Sequence, residues 1–136
     1  MDWLRIVASV GACLQLAFAV LEIAFWGPWF VTRVAPAWVG GQTPSALTPE
    51  MRSNIEWATP LGANMGVYNL ALAIGLAWVA YAGDAFAGPL GIFLSIWLLL
   101  AAVAAGLTKV YGALALQGAL GVAMLFVSWH ALKMVD

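Results

Sequence analysis

Glu22 stands inside an apolar run from about Ile6 to Trp26, and it is the one charged side chain deep in any such run. A carboxylate at the centre of a bilayer costs ~2.5–3.5 kcal/mol on insertion scales, so a residue that bears this cost has either a hydrogen-bonding neighbour or a job. Gln15 lies seven residues earlier, two helical turns along the same face. In a second apolar run Asn64 and Tyr68 are four apart and share a face, whereas Asn69 points to the side of Gly62 and Gly66. Gln117 lies more than a turn inside a later run, and Trp26 closes the first. An acid, several amides and a phenol in a dry cavity suit acid/base chemistry on a small lipophilic molecule: isomerisation, cyclisation or epoxide opening. On this reading Glu22 is the catalytic acid, with Asn64 and Tyr68 holding the substrate oxygen. Gln15, Asn69, Gln117 and Trp26 line the ligand site. Each of these residues also has a plainer use. Glu22 and the amides can join helices, Asn69 above all, while Tyr68 and Trp26 can be interfacial rings.

Chemistry of this kind needs elements that hold polar groups within a membrane. The chain has 136 residues, 65% hydrophobic and 8% charged, with a mean hydropathy of +0.98. Soluble domains carry about 25% charged residues. So little charge cannot cover a water-facing surface, and the chain is expected to be one integral membrane domain over residues 1–136. A net charge of −1 gives no basic patch for nucleic acid. The single cysteine, Cys13, permits no internal disulfide and is expected to serve helix packing. No paired His or Cys ligands, phosphate-binding Gly-rich loop or Ser-His-Asp set is visible, so no metal and no particular cofactor is implied. His130, the sole histidine, is expected at the membrane interface, with haem ligation as the other reading.

In chain order, four spans are expected: about 6–26, 60–82, 90–107 and 111–132, each near the ~20 residues a bilayer crossing requires. Gly27-Pro28 reads as a helix stop. The long first connection, 27–59, is too aromatic for a disordered linker. Within it Thr48-Pro49-Glu50 reads as N-cap, first turn and dipole-complementing acid of a short helix on the membrane surface, with Met51, Ile55 and Ala58 on one face. Residues 83–89 read as a tight turn and 108–110 as a short link. The fold class is therefore all-α: a four-helix integral membrane bundle with both termini on one side and a long first connection that carries a short interfacial helix. Arg5 and Lys133 on one side against Arg33, Arg52 and Lys109 on the other tilt the long connection towards the cytoplasm. Gly62 and Gly66 form a GxxxG, and Ala101 and Ala105 are four apart, spacings that bring helices close within one chain or between copies.

The second-span segment Ala63-Asn64-Met65-Gly66-Val67-Tyr68-Asn69, continued by Leu72-Ala73, Gly75-Leu76 and Trp78, resembles the hallmark of a bacterial four-helix membrane family known as domain of unknown function 1304. Leu21-Glu22 with Phe25-Trp26, Ala105-Gly106 and Gln117-Gly118 are similar to its further signals. Members often carry His where this chain has Gln15, and Gln where it has Met65. The resemblance implies a four-helix fold in a bacterial inner membrane and marks the same site positions; it implies no activity. Three functions fit the residues. One is an intramembrane enzyme acting on a small apolar ligand. Another is a structural or accessory subunit that assembles with copies of itself or a membrane partner. The third is a small proton-coupled transporter using Glu22.

Overall fold

Long runs of Ala, Leu, Val and Ile leave the backbone no polar partner but itself, and in an apolar medium that dictates helix. The computed structural model describes residues 3–82 and 84–133. Within them four long helices form: α1 (Trp3–Ala24), α4 (Thr59–Tyr81), α5 (Asp84–Leu107) and α6 (Tyr111–Lys133). Their 22 to 24 residues correspond to ~33–36 Å at the usual rise per residue. Each is long and apolar enough to cross a membrane, and together they fit a small membrane protein. Two short helices, α2 (Pro28–Val34) and α3 (Pro49–Trp57), lie in the first connection with 3-10 turns at Pro36–Val39 and Pro44–Ala46.

The long helices pack as two extensive antiparallel pairs, α1 with α4 and α5 with α6, joined by smaller α4–α5 and α1–α6 contacts. Glycines set the register. Gly62 faces Trp26, Gly66 faces Ala19 and Ile23, and Gly11 faces Leu76 along the first pair; Gly88 faces Leu132, Gly91 faces Ser128 and Gly121 faces Leu99 along the second. The described chain ends therefore lie at one end of the bundle, as the even number of spans predicts. The core centres on Leu76, Val79, Leu94, Leu98, Leu120 and Met124. A second cluster of Phe30, Val31, Val39, Leu47 and Ile55 gathers the first connection into a cap, packed on Leu21 and Trp26 at the other end.

The interfacial helix forms as expected. The Thr48 side chain accepts a hydrogen bond from the Met51 N–H, with Pro49 opening α3 and Glu50 in its first turn. Ile55 is buried, with Met51 beside it. Three expectations are corrected. Gly27-Pro28 does end α1, but Pro28 also opens α2, because a proline at the first helical position lacks only an N–H that would go unused. The expected turn at 83–89 is helix from Asp84 onward, with Pro89 inside α5; Gly83 lies outside the described residues. Helices in apolar surroundings tolerate proline because neighbouring groups re-satisfy the freed carbonyl. Finally, Cys13 lies on the outer surface of α1 rather than in a helix contact.

Candidate functional site

The site begins with a glycine. A Cβ on Gly66 would sit 2.5 Å from Ile23 Cγ1, 3.0 Å from the Ala19 carbonyl oxygen and 3.2 Å from Glu22 Cβ. Only a bare backbone lets α4 approach α1 this closely. One turn on, that approach carries Asn69 to Glu22, and Asn69 Nδ2 donates to Glu22 Oε2 at 2.6 Å. Glu22 is 7% exposed and Asn69 8%. All five Lys and Arg side chains are exposed or half-buried, so no cation sits in the bundle interior. The acid is thus held by an amide donor and not by an ion pair.

Trp26 covers the capped end of this seam. Its ring lies on Gly62, where a Cβ would collide with it. Its Nε1–H donates to the Ile55 carbonyl at 3.2 Å, and it meets Phe30 at a ring distance of 5.7 Å. Trp26 therefore ties α1 to α3 and the cap. On the opposite side of Glu22, two turns deeper, Gln15 is 0% exposed. Neither of its amide atoms has a hydrogen-bond partner among the described residues. Gln117 of α6 is also buried.

Asn64 and Tyr68 do not join this group. Both stand on the outer surface of α4, Tyr68 65% exposed. The expected convergence of Glu22, Asn64 and Tyr68 gives way to Glu22 with Asn69. The reason lies in Gly62 and Gly66, which select the face of α4 that meets α1. Asn64 is two residues from each, on the far side of the helix, whereas Asn69 is three from Gly66 and on the near side. Asn69 thus joins helices, as its position beside the glycines predicts. His130 is exposed near the far end of α6, its ring 4.5 Å from that of Phe126.

Two buried hydroxyls of the long helices escape a sequence reading. Ser95 is fully buried and donates to the Ile92 carbonyl at 2.6 Å, a bond within its own helix that occupies its proton. Ser128 is also fully buried, fills the space that a Cβ on Gly91 would need, and has no hydrogen-bond partner among the described residues. The signal for both was a hydroxyl in an otherwise apolar run, but serine is small enough to pass for a packing residue.

The arrangement places a buried carboxyl group, one oxygen of which is fixed by an amide, in an interior that holds two further buried amides, Gln15 and Gln117, and no Lys or Arg side chain. Such a group can pass a proton at Oε1 while Asn69 holds the other oxygen in place. Compared with family models, curated proteins and solved structures, the chain has no match.

Proposed function

We propose that the chain is an intramembrane acid/base protein acting on a small lipophilic molecule, with Glu22 as the proton donor and Asn69 as the residue that orients it. The observation that carries this reading is the Asn69–Glu22 hydrogen bond in an interior without a Lys or Arg side chain, with an unpartnered Gln15 buried two turns away on the same helix. An acid that only joined helices would need no further polar group nearby; Gln15 and Gln117 extend the polar interior beyond what that bond uses. Gln15, Gln117 and Trp26 are then the ligand-facing residues of this chain. The segment from Ala63 to Trp78, which resembles domain of unknown function 1304, contributes Gly66 and Asn69 to this arrangement.

The test replaces Glu22 by Gln, which preserves size and an acceptor for Asn69 but removes the transferable proton. Membranes containing the wild-type chain, Glu22→Gln or no added chain are extracted, and their lipophilic molecules compared. The expected result is a species consumed or produced with the wild type alone, while Glu22→Gln keeps the wild-type melting temperature. Identical extracts from wild type and variant, with the variant folded, would remove Glu22 from any chemistry.

A second reading, an accessory subunit, draws support from Asn64 and Tyr68. Their polar groups stand on the outer surface of a membrane helix, where a second copy or a membrane partner could meet them. Cross-linking through a cysteine placed at Asn64, in a Cys13→Ser background, reports on that face directly.

A further inference from the structure

The interior of the bundle is divided. Gln15, Glu22, Asn69 and Gln117 are buried in the capped half. Away from the cap the interior is mostly apolar, with Leu76, Val79, Leu94, Leu98 and Met124, and its buried polar groups there are the hydroxyls of Ser95 and Ser128. Gly11 of α1 meets Leu120 of α6. Gln15 is one turn from Gly11 towards the cap, and Gln117 is one turn from Leu120 in the same direction, so the two glutamines share a level. Glu22 and Asn69 lie beyond them, nearer the cap. The buried polar groups therefore form one layer, with the apolar core on one side and Trp26 on the other.

Among these polar groups one hydrogen bond, Asn69 to Glu22, uses part of the available donors and acceptors. Gln15 is fully buried with both amide atoms unpartnered among the described residues. A primary amide presents two N–H donors and a carbonyl acceptor, and leaving such a group buried and unsatisfied costs about 1–3 kcal/mol. The group that satisfies Gln15 must both accept and donate. It must also be uncharged, because a carboxylate or phosphate would bring buried charge to a site with no cation.

We propose that Gln15 and Gln117 bind the hydroxyl of a neutral, hydroxyl-bearing lipophile. The ligand oxygen accepts from Gln15 Nε2–H and its proton is donated to Gln15 Oε1, while Glu22 stands two turns away at the capped end. The proposal rests on the reading of Glu22 as an acid for a lipophilic substrate and names the class of that substrate: an alcohol with an apolar body, bound through its single polar group. An alkane leaves the amide unmet, and an ionised fatty acid adds an uncompensated charge.

Three photoreactive diazirine probes of equal chain length test this: a dodecanol, a dodecanoic acid and a dodecane, each offered to the purified full-length protein in detergent. The alcohol is expected to raise the melting temperature and to label α1 and α6 in the capped half, with the other two doing neither. Gln15→Leu keeps the volume and removes the amide. It should melt no lower than the wild type and bind the alcohol about tenfold more weakly. If Gln15→Leu does not fold, Gln117→Leu carries the same readout. Equal labelling by all three probes, binding by none (an amide satisfied by buried water alone), or alcohol binding unchanged in the folded variant would each overturn the proposal. Glu22→Gln should still bind the alcohol. A Glu22→Gln protein whose membrane extracts match the wild type would strike the acid reading while leaving the hydroxyl site intact.

Discussion

The two helix pairs close by different means. The α5–α6 pair is joined by three residues, with Lys109 in the left-handed region at φ 61° and the Val110 N–H bonded to the Ala105 carbonyl. So short a link makes the helices neighbours at small entropic cost, and among the described residues its seam is packing without a side-chain hydrogen bond between the two helices: Gly88 on Leu132, Gly121 on Leu99, Gly118 on Ala102. The α1–α4 pair is separated by the whole first connection, and its seam carries the Asn69–Glu22 hydrogen bond as well as three glycine contacts. Lipid tails are as apolar as leucine, so hydrophobicity does not choose between alternative helix faces in a bilayer. Where the link does not fix the partner, close backbone approach and a directional bond do.

The comparison breaks most sharply at Gly66. Its Cβ would press on the Ala19 carbonyl, which cannot turn aside as a side chain can. Gly66→Val is expected to destabilise the protein by ~3 kcal/mol, the upper range for overpacking, and to prevent the α1–α4 seam from forming. Gly112→Val, on a helix surface with nothing within 4 Å, should melt with the wild type. Thermal unfolding in detergent distinguishes the two.

Asn69→Leu comes next. It leaves Glu22 buried without its donor and should cost ~2 kcal/mol, with Glu22→Leu added on top recovering part of that loss. If the double variant is no more stable than Asn69→Leu, the bond is not what aligns the pair. In the cap, Thr48→Ala removes the hydroxyl that accepts the Met51 N–H and should cost ~1 kcal/mol, seen as faster proteolysis between α2 and α4 while the bundle itself stays resistant. The smallest effect is expected at Ser128 in the other seam. Ser128→Ala deletes an unpartnered buried hydroxyl and should leave stability unchanged or slightly raised.

Local chemistry was legible in the sequence, and facial choice was less so. The Thr48 cap depends on residues three apart and survives any tertiary setting. The four spans follow from length and hydropathy. Pro28 and Pro89 were misleading in the same way, since a proline reads as a break but is compatible with a helix start and with a bilayer helix. The site was half legible. Glu22, Gln15, Asn69 and Gln117 declare themselves as polar groups in apolar runs, and all four are buried. Asn64 and Tyr68 declare themselves equally loudly and face outward. In a soluble helix the outward face is polar and the inward face apolar; here both surroundings are apolar, so polarity alone carries no direction. The glycine pair Gly62 and Gly66 did carry it, because small residues mark where backbones meet.

Trp38 adds a mechanical consequence. Its indole N–H donates to the Thr108 carbonyl at 2.7 Å, so a residue from the connection after the first helix holds the link between the last two. The two antiparallel pairs are thereby clasped at the capped end. If the pairs move relative to one another, they should turn about this clasp, which serves as the pivot. Trp38→Phe would free the pivot, and a spin label on each pair near the chain ends would then report a broader distribution of distances.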